Sequence, residues 1–256
     1  MDEPDPPAST AEDPKIEQCL NCGADLEGAF CKECGQSASV ERYTLKSFSR
    51  EIYHKFRSLD ATATFNTFKA LIVDGGTFVE DYLEGKRVGF TNPVMYFFYY
   101  FVIDVLLIKV LRVVTSNPTF HQDGATGFDL QIVALVSTVF WGFLWWVFFR
   151  KSGLNLVENV VAAIYYVAQV NIVSLIFLIV SALFASRYPS LDQASSIIEV
   201  FLYFGYGIYF GRQLLKDPLW KLIPKQLVLT VIYFVILMVV LLFDLTGNVI
   251  LEKIIK

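Results

Sequence analysis

Five stretches of this chain run about twenty residues or more with few charges, near 94–114, 128–149, 156–184, 196–215 and 226–250. A stretch of that length and greasiness is enough to cross the hydrocarbon core of a bilayer. Inside that core each backbone N–H and C=O needs a partner within the protein, so each stretch must fold as a helix. The expected fold class is therefore an all-α polytopic membrane bundle of about five transmembrane helices over residues 94–251. Composition agrees: 55% of residues are apolar and only 18% are charged, against roughly 45–50% and 25% for soluble domains. The second, third and fifth stretches are almost free of charge. The first contains Asp104, Lys109 and Arg112, and the fourth contains Glu199 and Arg212.

Lysine and arginine alternate in density along the bundle. Ten precede the first stretch, none lies between the first and second, and Arg150 and Lys151 lie between the second and third. Arg187 stands alone in the next loop, and Arg212, Lys216, Lys221 and Lys225 surround the last. The positive-inside rule then puts the N-terminus in the cytoplasm and the C-terminus outside. Lys253 and Lys256 are the discordant pair. No cleavable signal is expected, because the opening residues have neither a basic region nor an apolar core.

The part ahead of the bundle divides in three. Residues 1–17 carry six acids, one lysine and four prolines, the composition of a disordered acidic tail. Residues 18–36 hold all four cysteines, Cys19, Cys22, Cys31 and Cys34, as CLNCG and CKECG with eight residues between the pairs. Glycine after each pair permits the left-handed backbone angle of a sharp knuckle, and four thiolates complete a closed tetrahedral site. A structural Zn2+ is the expected cofactor, in a small zinc ribbon whose short hairpin packs Leu26 and Phe30. A four-cysteine iron site stays open as an alternative. Two disulfides would need an oxidising compartment, and a redox C-x-x-C would need a βαβ unit around it.

Residues 43–93 should form juxtamembrane helices. Leu45, Phe48, Ile52, Phe56 and Leu59 recur at helical spacing, with Lys46, Arg50, Lys55 and Arg57 on the other faces. This pattern is that of a basic amphipathic surface helix lying on anionic lipid, or of one packed on its own bundle. A second helix is expected over 61–73, ended by Asp74-Gly75-Gly76. Gly85 and Gly89 bracket a turn that carries Lys86 and Arg87 at the membrane surface. Asn92-Pro93 starts the first span.

The order C-x-x-CG, FCxxCGQ (Phe30–Gln36), a stretch like Tyr43–Asp60, EGKR (Glu84–Arg87) and NP (Asn92-Pro93), followed by several spans, resembles a family of uncharacterised bacterial zinc-ribbon membrane proteins, a domain of unknown function. The resemblance is specific over roughly 19–100. Members carry a proline-containing phrase ahead of the GKR motif, where this chain has Asp74-Gly75-Gly76. The resemblance implies a multi-pass protein of the bacterial inner membrane and no activity. The five-span hydropathy is also similar to that of Yip-type trafficking proteins.

Polar residues within the bundle are the other candidates. Asp104, Glu158, Gln169 and Asn171 would line a path for a solute or ion, or would bond between helices. Gly207-x-x-x-Gly211 permits close helix approach, within the bundle or in a dimer. No phosphate-binding loop, nucleophile elbow or H-E-x-x-H motif is present. The two histidines, His54 and His121, fall on opposite sides of the bilayer. The expected reading is a non-enzymatic scaffold or adaptor whose ribbon docks a protein partner, with a homo-oligomer as a further possibility. The rival is a transporter or channel. The ribbon leans acidic, so no nucleic-acid partner is expected.

Overall fold

The structure, a computed structural model, describes residues 18–40, 42–49, 60–114, 127–184 and 190–255. The acidic tail, most of the basic helix (Arg50, Lys55 and Arg57 included) and His121 lie outside the described residues. Six long helices follow the cysteine module: α1 (Ala61–Glu84), α2 (Pro93–Val114), α3 (Gly127–Phe148), α4 (Leu156–Phe184), α5 (Ser190–Leu215) and α6 (Leu219–Ile255). Among the described residues there are no strands, only two isolated bridges.

Five of these helices stand where the apolar stretches predict them. Three are long and apolar enough to cross a membrane: Pro93–Val114, Leu156–Phe184 and Leu219–Ile236. Val136–Phe148 is a shorter apolar helix. The last helix begins earlier than the expected 226 because Pro224 is accommodated inside it. A proline that near the start removes only one early hydrogen bond, and it frees a carbonyl beside the exposed Trp220.

The middle of the bundle is α4. Each residue from Val161 to Asn171 is buried, as expected of a helix apolar on all sides. It packs on α1, α2, α3 and α5. Gly142 lets α3 approach closely, since a Cβ there would stand 2.6 Å from the Val160 Cα. On α5, a Cβ at Gly207 would strike Gln226 and one at Gly211 would press on Leu222, both on α6. The G-x-x-x-G is thus used within the bundle.

Helix α2 starts as Asn92-Pro93 predicts. The Asn92 Oδ1 accepts the Met95 N–H at 2.8 Å, and proline takes the first helical position, where a missing N–H costs nothing. Asp60 caps α1 in the same way, accepting from Thr62 and Ala63.

Asp74-Gly75-Gly76 turns out to be a kink rather than an end. Asp74 leaves helical geometry at φ −145°, ψ 53°, and the helix then resumes to Glu84. A kink frees backbone groups that need partners. The Tyr206 hydroxyl donates to the Leu71 carbonyl at 2.8 Å, the Tyr209 hydroxyl to that of Val73, and the Gly76 N–H donates to the Gln213 Oε1 at 2.8 Å. All three partners lie on α5. The glycines allow that approach: a Cβ at Gly76 would stand 2.3 Å from the Phe210 carbonyl oxygen and 2.6 Å from the Leu214 nitrogen. The backbone atoms there cannot swing aside as a side chain could. Gly76→Ala should therefore destabilise the folded protein by roughly 1–3 kcal/mol. Gly205→Ala, which meets open space, should be neutral or stabilising by up to about 1 kcal/mol. Thermal unfolding of the two variants in detergent checks the contrast.

Candidate metal centre

The two cysteine pairs fold into matching knuckles. The Gly23 N–H donates to the Cys19 carbonyl at 2.8 Å and the Gly35 N–H to that of Cys31 at 2.9 Å. Both glycines sit at φ 75°, the left-handed angle expected from the spacing. The Cys19 N–H donates to the Ala24 carbonyl at 2.7 Å and the Cys31 N–H to that of Gln36 at 2.8 Å. One antiparallel bridge closes each knuckle, Gln18 with Asp25 and Phe30 with Ser37.

The knuckles face each other, so the four sulfurs converge. Cys19 and Cys34 approach to 3.6 Å, as do Cys22 and Cys31, and all four sulfurs lie within 4.8 Å of one another. Four sulfurs bound at 2.3 Å in a tetrahedron would be about 3.8 Å apart. A disulfide would need about 2.05 Å, and the four cysteines are free thiols. The cluster therefore fits one tetrahedral metal ion. Its acid–base chemistry agrees. The N–H groups of Cys22 and Asn21 favour a negative Cys19 sulfur and, against partial burial, bring its thiol down to about 7. At Cys22 the Ala24 N–H acts in the same direction, but burial and the three neighbouring thiols outweigh it and push that thiol up to about 12. Four sulfurs so close resist joint ionisation unless a cation shares their charge.

The apolar packing of the module is not the expected one. Leu26 is half-buried and Phe30 is 65% exposed. The module packs instead on the turn after α1. Gly85, at φ 117°, brings the turn so close that a Cβ there would stand 2.9 Å from Val40 and 3.0 Å from Leu20. The Arg87 N–H donates to the Gln36 Oε1 and the Val88 N–H to the Asn21 Oδ1, both at 3.3 Å. The Arg87 guanidinium lies over the Tyr43 ring at 4.1 Å and near that of Tyr82 at 5.6 Å. Tyr43 is fully buried and stacks on Tyr82. Arg87 is thus held half-buried against the two tyrosines, and Lys86 pairs with Asp81 at 2.5 Å. Lys46 is exposed on the helical turn 45–49.

A second tie runs to α4. Arg42 donates from Nε and Nη2 to the two oxygens of Glu158 at 2.5 and 2.7 Å, and from Nη2 to the Gly153 carbonyl at 2.7 Å. Glu158 also accepts the Asn155 N–H at 2.8 Å, while the Asn155 Oδ1 accepts the Glu158 N–H at 2.9 Å. That is a capping box, N-x-x-E, at the start of α4. The spacing was visible in the sequence as Asn155 and Glu158 three apart. The arginine partner, 116 residues away, was not.

The other intramembrane candidates are held at separate places. Gln169 accepts the Tyr96 hydroxyl of α2 at 2.5 Å, and Asn171 accepts the Tyr203 hydroxyl of α5 at 2.8 Å. Two positions apart on a helix, they face different neighbours. Asp104 is buried on α2, within electrostatic reach of Glu199 on α5.

Together these features describe a helical, membrane-type protein with a four-cysteine cluster suited to a metal ion. Residues 64–104 match a family described as a protein of unknown function (DUF3667). The match begins near the start of α1, includes the Gly85–Arg87 seat of the cysteine module, and ends at Asp104 without reaching the cysteines. No curated protein and no solved structure matches the chain.

Purified protein should carry one bound metal ion per chain by elemental analysis, and Cys22→Ser or Cys34→Ser should abolish it. Glu158→Ala should cost about 1–3 kcal/mol, through the lost cap and the lost partner of Arg42. Glu158→Gln should cost less, because an amide oxygen still accepts the Asn155 N–H. Unfolding midpoints in detergent distinguish the two.

Proposed function

We propose that this protein is a non-enzymatic membrane scaffold whose zinc ribbon docks a protein partner in the cytoplasm. The observation that carries the reading is the rigid seating of the cysteine module. Its Gln36 and Asn21 side chains accept backbone N–H groups of the Gly85–Val88 turn, and Arg42 ties the following segment to Glu158. A closed four-sulfur site leaves no open position for catalysis, so the metal serves to fold a piece too small to fold alone. What such a piece offers is a surface, and Phe30 stands exposed on it.

Zinc is the ion of choice, because four thiolates in a tetrahedral arrangement suit it and no redox role is called for. The alternation of basic residues favours an inner-membrane protein with its N-terminus in the cytoplasm, where thiols stay reduced. The basic residues Arg50, Lys55 and Arg57 would add contact with anionic lipid.

Affinity purification of the full chain from native membranes, read by mass spectrometry, tests the proposal. A protein partner should co-purify with the wild type and with Asp104→Asn, and should be lost with Phe30→Asp while the metal is retained. An identical protein set from wild type and Phe30→Asp would overturn it. So would a solute or ion flux in proteoliposomes that Asp104→Asn abolishes.

A further inference from the structure

The cations at the ribbon end of the bundle fall into two groups. Arg42, Lys86, Lys216 and Lys225 each meet a carboxylate. Arg150 and Lys221 meet none among the described residues, and each lies over an indole instead. The Arg150 guanidinium is 4.4 Å from the Trp146 ring and the Lys221 ammonium 4.8 Å from the Trp220 ring. The two are brought together by the seam between the end of α3 and the start of α6, where the Lys225 ammonium sits 4.6 Å from the Phe149 ring. Lys151, exposed beside Arg150, adds to the same edge.

An apolar stripe runs down from this basic crown. On α3, Val136, Val139, Phe140, Phe143 and Val147 are exposed at intervals of three and four, with Arg150 next in the series. The stripe is about 17 Å long at 1.5 Å per residue, close to the depth of one leaflet's hydrocarbon, about 15 Å. On α6, Ile223, Leu227 and Val231 are exposed below Trp220. Cations held over aromatic rings at the head of an apolar groove match a ligand with an anionic head and a hydrocarbon tail.

We propose that the α3–α6 seam binds an anionic phospholipid, its phosphate held by Arg150, Lys151 and Lys221 and one acyl chain laid along the α3 stripe. None of its residues belongs to the metal cluster. It rests on reading α3 and α6 as membrane-embedded, and the experiment reads that separately.

The full chain is reconstituted in phosphatidylcholine vesicles that hold a minor share of brominated lipid, either phosphatidylglycerol or phosphatidylcholine. Bromine quenches nearby tryptophan, and Trp146 and Trp220 flank the site. Quenching by the brominated phosphatidylcholine reports embedding alone; its absence would sink the membrane reading and this proposal with it. Excess quenching by phosphatidylglycerol is the expected sign of the site. Arg150→Gln/Lys221→Gln should cut that preference by about 25-fold, at roughly fivefold per cation. Lys69→Gln/Arg212→Gln, with the same change in net charge, should leave it. Equal quenching by both lipids would overturn the proposal, as would an equal loss in the control pair, which would mean a general surface field. Abolition of the excess by millimolar inorganic phosphate would mean a site for the free anion and would also overturn it. Should the double variant fail to fold, Lys151→Gln gives the same readout, and the wild-type preference is itself decisive.

Discussion

The Arg87 guanidinium lies over the Tyr43 ring at 4.1 Å and reaches that of Tyr82 at 5.6 Å, two stacked tyrosines that come from opposite sides of a junction, Tyr43 from the segment after the cysteines and Tyr82 from α1. Much else depends on that contact. A guanidinium can stack on a ring and donate hydrogen bonds in its own plane at once. Arg87 does both, donating from Nε to the Tyr82 carbonyl at 3.1 Å. Its backbone N–H meanwhile reaches Gln36 of the second knuckle. One residue thus joins the metal module, the segment that follows it and the first helix. From Tyr82 the packing continues into Tyr165 of α4 at 5.4 Å, and the Tyr165 hydroxyl donates to the Thr91 carbonyl at the head of α2. Lysine in place of Arg87 would keep the charge and lose the stack.

How much of this was legible in the sequence follows from how far apart the partners lie. The knuckles, the glycines at Gly23, Gly35 and Gly85 and the Asn92-Pro93 start were readable, because each is a local rule within a few residues. The apolar stretches gave helix positions closely, with α4 found over Leu156–Phe184 as expected. Asp74-Gly75-Gly76 was readable as a break but not as a kink, since the groups that rescue its backbone are Tyr206, Tyr209 and Gln213, far along the chain. For the same reason the contact of Arg87, a cation read as lying at the membrane surface, with the Tyr43 ring was not readable. Asp104, Glu158, Gln169 and Asn171 were readable as a path or as bonds between helices, and Glu158, Gln169 and Asn171 each bond to another element. Their partners lie on three different elements.

The two ties of the cysteine module also explain why the first helix is built as it is. The part of α1 beyond the kink, from Gly75 to Glu84, carries the turn on which the module sits. That part is clamped to α5 by Gly75 and Gly76 and by the Lys216–Glu80 pair at 2.6 Å. The module reaches α4 independently, through Arg42 and the capping box. A load on the cysteine module therefore enters the bundle at two helices, α4 and α5, which pack on each other. A straight α1 would keep the Leu71, Ile72 and Val73 carbonyls in its own ladder and would take from Tyr206 and Tyr209 of α5 the acceptors they now have. The kink moves those hydrogen bonds between helices, where they fix the position of the cysteine module's seat. Holding a tail in a membrane requires no such positioning.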